Sequence, residues 1–291
     1  MHEPHPSLPF PRDKRLQLWR YMDFTKYVAM LESRCLYFCR ADHLGDPHES
    51  SMPLGMVKKY VADIRKLTEE NSEDSVAKAK ILQGNLSLFY QWSRSAAIMM
   101  YINCWHMNKH ESDAMWKVYL KGAEGVAVLS SPNRLVKSIE ASEQRISIGK
   151  VVYADYEKLD LHGKDGGFNL LNFISRKRLS FRHEAEVRAV TWRNSDDLAD
   201  EEGWIDAPPG IQVPADLHHL IRAVYVSPSS PPWFLGLVQA INDRYGIKAE
   251  VRQSRMAEGP LRLVSADGQV EPPTTGITKY RLGSPVSADG D

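Results

Sequence analysis

Cysteine is scarce in this 291-residue chain: Cys35, Cys39 and Cys104 cannot all pair, which fits free thiols in a reducing compartment. No apolar run approaches the roughly 20 residues of a membrane span. The opening "MHEPHPSLPFPRDKR" lacks the apolar middle of a signal peptide, so a cytoplasmic location is expected and no membrane partner. Charge of one sign is also lacking. Lys plus Arg number 37 and Asp plus Glu number 37, which argues against a dedicated polyanion coat but leaves room for a local basic groove. The chain has no phosphate-binding P-loop, no GxGxxG, no Gly-x-Ser-x-Gly elbow and no Cys-x-x-Cys pair.

What is present is the composition of a folded globular domain, 43% hydrophobic and 25% charged. Residues 1–15, rich in Pro and charge, predict a mobile arm; residues 16–266 predict a single domain; residues 267–291, poor in core formers, predict a tail of low order. Strands are expected at "LQLWRYM", "RCLYFCRA", "INCWHM", "EGVAVLSS", "RISIGKVVYADY", "HLIRAVYVSP" and "IKAEVRQS". Helices are expected at "DFTKYVAMLES" with Asp23 as N-cap, "MVKKYVADIRKLTEE", "VAKAKILQGNLSLFYQWSRSAAIMMY" in a central position, "ESDAMWKVYL", "NRLVKSIEAS", "GFNLLNFISRKRLSF" and "PWFLGLVQAINDRYG". The order is too irregular for a βαβ series, so the expected class is α+β: a mixed or split antiparallel sheet flanked by helices.

Three clusters carry chemistry. In "SFRHEAEVRAVTW" the alternation from His183 predicts a strand with Glu184, Glu186 and Arg188 on one face. Two carboxylates at that spacing have Cα atoms about 6.5–7 Å apart. One can stabilise positive charge on a sugar C1 while the other orients water or a hydroxyl, and their repulsion can raise one pKa. The plainer interpretation is a solvated strand face with a Glu–Arg pair. In "YFCRADHLGDPHES", Arg40, Asp42, Asp46 and Glu49 surround a turn after a strand, and Asp46 suits capping of that turn better than catalysis. In "NCWHMNKHESDAMWKVY", Trp105 and Tyr119 are candidates for stacking a base, with core packing as the competing role of their neighbours Met115 and Trp116. His106, His110 and Cys104 lack further ligands at a metal-binding spacing, so no metal is expected. The run "SRKRLSFRH" suits either a phosphate-bearing substrate or a solvated face.

Together "LGDPHE", the "CWH…MWKVY" block and "FRHEAEVR" resemble a widespread bacterial family of unknown function, over about residues 16–255. Genes of that kind often sit among anti-phage genes, so the resemblance implies a defence context. A remoter likeness is to the ADP-ribosyltransferase fold, a split α+β sheet. It implies Arg20 or Tyr21 as the first-strand residue at a nucleotide, Glu184 and Glu186 as the acidic pair, Glu186 as the catalytic carboxylate, and NAD as a substrate. The chain departs from that pattern in having "NCWH" where a Ser-Thr-Ser strand is expected.

The function these features favour is cleavage or transfer at an N-glycosidic bond of a nucleotide, either NAD or a modified base in nucleic acid. Glu186 would face the cation, Glu184 water or a hydroxyl, and Arg20, Arg40 and Arg188 phosphates. A non-enzymatic sensor or partner-binding module is the alternative, and a metal-dependent nuclease using Asp42, Asp46, Glu49, Glu184 and Glu186 the third choice.

Overall fold

The computed structural model describes residues 2–13, 15–162, 168–199, 206–258, 262–263 and 270–271. The chain begins its sheet with β1 (Leu18–Asp23), whose alternation sends Leu18 and Met22 into one core and Trp19 and Tyr21 into another. Helix α1 (Phe24–Ser33) follows without a break. Asp23 stands at its N-cap position, but its carboxylate accepts from the Lys121 backbone N–H instead of capping the helix.

Next come β2 (Cys35–Arg40), α2 (Leu54–Glu70), α3 (Glu73–Met99), β3 (Met100–Met107), α4 (Asp113–Tyr119), β4 (Gly125–Ser130) and α5 (Pro132–Ser138). Two strands, β5 (Ser147–Lys150) and β6 (Val152–Ala154), lead to the short α6 (Leu171–Ile174) and β7 (Arg176–Arg178). A 3-10 turn at Leu179–Glu184 precedes β8 (Glu186–Trp192). The remainder is β9 (Gly210–Pro214), α7 (Leu217–Leu220), β10 (Ala223–Val226), α8 (Pro232–Arg244) and β11 (Glu250–Gln253).

The fold is α+β, with a nine-stranded, mostly antiparallel sheet among the described residues. Its order is β11-β10-β4-β1-β3-β2-β9, with β8 on the other edge of β3 and β5 beyond β8; the β10–β11 pair is parallel. The sheet forks at β3. Strand β1 pairs with β3 only through Leu18↔Met107 and Trp19↔His106, and β2 only through Cys39↔Ile102 and Arg40↔Tyr101. Between those two contacts, residues 103–105 of β3 have a ladder partner on the β8 side alone.

One face of the sheet carries the largest core, in which Leu18, Leu36, Val128, Val187 and Val224 meet Tyr27 of α1, Leu135 of α5, Leu220 of α7 and Phe234 of α8. The opposite face is divided. Met56 of α2, Phe89 of α3 and Phe173 of α6 cover Met100, Ile102 and Val190, while Met115 and Trp116 of α4 cover Trp19, Tyr21 and Leu129. The gap between these two apolar clusters is where the charged side chains of β8 emerge.

Three expectations are corrected. Helix α3, expected to be central, has Ile81 and Tyr90 largely exposed and packs chiefly on α2, because its apolar residues surround it without forming one broad stripe. The segment "GFNLLNFISRKRLSF" is helical only at Leu171–Ile174 and then passes through β7 into the 3-10 turn. The N-terminal residues do not project as an arm. Glu3 N–H donates to Ile146 O, Lys150 N–H donates to Pro9 O, and Leu8 is buried against Gly149. Of the segment expected to be a low-order tail, residues 267–269 and 272–291 lie outside the described residues.

Candidate active site

Strand β8 starts at Glu186, not at Glu184. Glu184 closes the 3-10 turn, and Ala185 takes a left-handed conformation, φ 41°, before the extended backbone begins. The two carboxylates therefore converge through a kink, not through strand alternation. Neither faces open water: Glu184 is 8% exposed and Glu186 4%.

Their focus is Lys177, which the three-residue strand β7 points inward. Its ammonium lies 2.6 Å from Glu184 Oε2, 2.9 Å from Glu186 Oε1 and 2.9 Å from Glu49 Oε1. Arg188, fully buried, donates from Nε to Glu186 Oε2 at 2.7 Å, from Nη2 to Glu49 Oε2 at 2.7 Å, and from Nη1 to Ile174 O at 2.6 Å. Three acids thus share two permanent cations. Full ionisation would leave an uncompensated negative charge in a region of low dielectric, and a proton on one acid restores neutrality.

Glu184 is the acid that holds this proton. Burial and the hydrogen bond to neighbouring Glu186 raise its pKa to about 7, against the opposing pull of Lys177. Burial would also raise Glu186, but Arg188, the hydrogen bond from Glu184, and Lys177 reverse that and hold it far below the usual carboxylate range. Lys177 would be lowered by burial and is raised instead by Glu186, Glu49 and Glu184. Two adjacent carboxyls with pKa values driven apart are an acid and a fixed anion.

The surroundings are polar and specific. The backbone N–H of Glu186 donates to the Tyr153 hydroxyl at 2.8 Å. The Glu184 carbonyl accepts from His106 Nδ1 at 2.6 Å, which fixes the proton on Nδ1 and leaves Nε2 unprotonated. Nε2 is buried without a hydrogen-bond partner among the described residues, and burial keeps this imidazole neutral by lowering its pKa. Tyr119, at the end of α4, has its hydroxyl pKa raised by burial and by the charges of Cys104, Glu186 and Glu184, while 39% of the residue stays exposed.

Arg20 lies in the fork of the sheet. Its Nη2 donates to Tyr37 O at 3.3 Å, an oxygen shared with the Asn103 carboxamide at 2.8 Å. Its guanidinium sits 5.9 Å from the Trp105 ring centroid. Nη1 is buried with no partner, no carboxylate pairs with it among the described residues, and burial pushes its pKa down to about 10. Arg20 and Cys104 are each partly exposed to solvent.

Other candidates are spent elsewhere. Asp46 accepts both Nε and Nη2 of Arg178 and the His48 N–H, the turn-capping role its Gly-Asp-Pro setting favours. Arg40 is bound to Asp42 and to Ala207 O, outside the acid cluster. Trp105 is 1% exposed with its indole N–H on Asn103, so its ring is not free to stack a leaving base. Tyr21 is 5% exposed, packs edge-on against Trp116 and accepts the Ser112 N–H. Arg188 spends its donors on protein acceptors and cannot hold a phosphate without surrendering one. Asp42, Asp46 and Glu49 do not share a metal site: the first two pair with Arg40 and Arg178, and Lys177 fills the space among the carboxylates of the third.

No family model, curated protein or solved structure matches the chain.

Lys177 and Tyr153 are site residues that the sequence did not single out, and His106 was weighed there only as a metal ligand. Lys177 stood in a basic run that suited a solvated face equally well, and nothing local distinguishes it from Arg176 or Arg178. His106 had a fainter signal, sharing a strand face with Cys104.

Proposed function

We propose that the protein is an enzyme that cleaves or transfers at the N-glycosidic bond of a nucleotide, with Glu184 as its acid–base group. One observation carries this: a carboxyl with a pKa of about 7 and a carboxylate held ionised meet at one buried ammonium, 2.6 and 2.9 Å from Lys177 Nζ. As the C1′–N bond of a nucleobase substrate breaks, its electrons pass to the departing base and the Glu184 carboxyl gives its proton to a base nitrogen. Nicotinamide leaves NAD neutral and needs no proton, so there Glu184 in its ionised form takes a proton from the attacking water. The sugar is left with oxocarbenium character, stabilised by the negative charge newly formed at Glu184 beside Glu186. Water then adds to C1′ and returns a proton to Glu184, or an acceptor hydroxyl does so in the transfer version.

The roles differ from the strand-based assignment. Glu186, clamped through both oxygens, orients Glu184 and sets its pKa, while Glu184 has one oxygen free of Lys177. Arg20 suits a phosphate, and the exposed edge of Tyr119 suits the leaving base. NAD and a modified base in a strand of DNA are the two substrates to compare.

The test is release of free base from NAD, plain DNA and modified DNA by purified protein. Glu184→Gln should lower release by about 10²–10⁴-fold, the usual contribution of a positioned proton donor. Equal activity in the variant, or no release from any of the three, defeats the proposal. The competing interpretation, a non-enzymatic module, has one observation in its favour: every charge of the cluster already has an internal partner. It requires Glu184→Gln to leave cellular function intact.

A further inference from the structure

A concavity of about 650 Å³ opens on the sheet face that carries Glu186. It is lined by Lys109, Arg222, Arg252 and Arg255 with Tyr225, and by the acids Glu111 and Glu258. Some of these cations are committed. Arg252 pairs with Glu250 and donates to the Tyr225 hydroxyl, and Arg255 lies 3.6 Å from Glu258. Lys109 and Arg222 are exposed and form no ion pair among the described residues. Exposed cations beside Tyr225, whose ring carries the Arg252 guanidinium 5.8 Å from its centroid, are a lining that can track a phosphate backbone, while Trp19 is buried beneath them.

The register ties this groove to the acids. Ala223 pairs with Leu129, Leu129 with Trp19, Trp19 with His106, and His106 with Glu186, one continuous row across five strands. Trp19 is thus two strand spacings from Glu186, and Ala223, next to Arg222, is four. At about 4.8 Å per strand that places the groove's far end roughly 19 Å from Glu186. A strand that repeats its phosphates over several residues can touch Arg222 while its sugar meets Glu184, whereas a single nucleoside diphosphate has phosphates at one end alone.

We propose that the groove holds phosphates flanking the target nucleotide of a single-stranded nucleic acid. This rests on the N-glycosidic reading and narrows its substrate from a free dinucleotide to a strand. Lys109 and Arg222 supply electrostatic contacts of the kind that fix position without reading sequence.

The test is fluorescence anisotropy with labelled 12-residue DNA and RNA oligonucleotides on the full chain, over a salt series. Each lost contact to a single strand removes about 0.7 from the slope of log affinity against log salt. Lys109→Ala with Arg222→Ala should therefore weaken binding and flatten the slope by about 1.4. Both positions are exposed, so the fold should be unaffected, which a thermal melt checks. Binding of either oligonucleotide with that change supports the proposal, and the two arms tell which sugar is preferred. Neither oligonucleotide binding, an unchanged slope, or displacement of the oligonucleotide by equimolar ADP overturns it. Glu184→Gln separates the two ideas. If that variant still binds the strand and no base is ever released, the groove stands and the catalytic reading falls. If base is released from free dinucleotide with the groove variant fully active, the reverse holds.

Discussion

Glu184→Gln keeps the shape of the acid pair and abolishes its titration. The glutamine oxygen can still accept from Lys177, and its NH2 can donate to Glu186 as the protonated carboxyl does. Raising the folded pKa from 4.5 to about 7 makes the native state bind more protons than the unfolded state throughout that interval. The stabilisation is complete below pH 4.5 and is lost as pH rises through about 7. At about 1.36 kcal/mol per pH unit it amounts to about 3 kcal/mol. Glu186 works in the other direction and elsewhere: its depressed pKa gives stability above 4.5 that is lost only as pH falls below that value. His2, His5 and His106, all lowered by burial, lose stability as pH falls through the 6.5 region, but they are common to both proteins and cancel in the comparison. Urea denaturation of wild type and variant from pH 4.5 to 8 should show the wild type losing about 3 kcal/mol relative to Glu184→Gln across the interval. A difference that stays flat with pH would falsify the assignment of the shared proton to Glu184.

Three further outcomes follow from the same geometry. Lys177→Met should destabilise by about 3–5 kcal/mol in chemical denaturation, because three carboxyls then share Arg188 alone; a loss under 1 kcal/mol would mean that the cluster readily rearranges. Arg20→Met should raise the melting temperature by about 2–4 °C, since removing a buried, anion-free guanidinium outweighs the lost bond to Tyr37 O by about 1 kcal/mol; base release should fall in the same variant. Gly149→Ala places a methyl against the Leu8 carbonyl, so the N-terminal segment should lift from β5 and become open to limited proteolysis before residue 16; an unchanged digestion pattern would contradict this packing.

The sequence by itself determined the class of fold and most of its elements, because period-two and period-3.6 apolar patterns record which side chains each segment must bury. Strands β1–β4, β10 and β11 and helices α1, α2, α4, α5 and α8 were legible in that way. So were Glu184, Glu186 and Arg188 as charges of one segment, and Glu49 in a separate loop cluster, but not their meeting. The tertiary structure alone decided what those charges do. "HEAEVR" alternates like a strand, yet Ala185 turns left-handed and two residues two apart reach one ammonium from different backbone conformations. Lys177 and Glu49 lie 128 positions apart in the chain yet 2.9 Å apart in space. No local pattern encodes that approach, because an ion pair's energy depends on what else is within a few ångströms and how much water has been excluded. Arg20 and Trp105 were equally visible in the sequence; only the fork at β3 left one of them without an anionic partner among the described residues and sealed the other into the core.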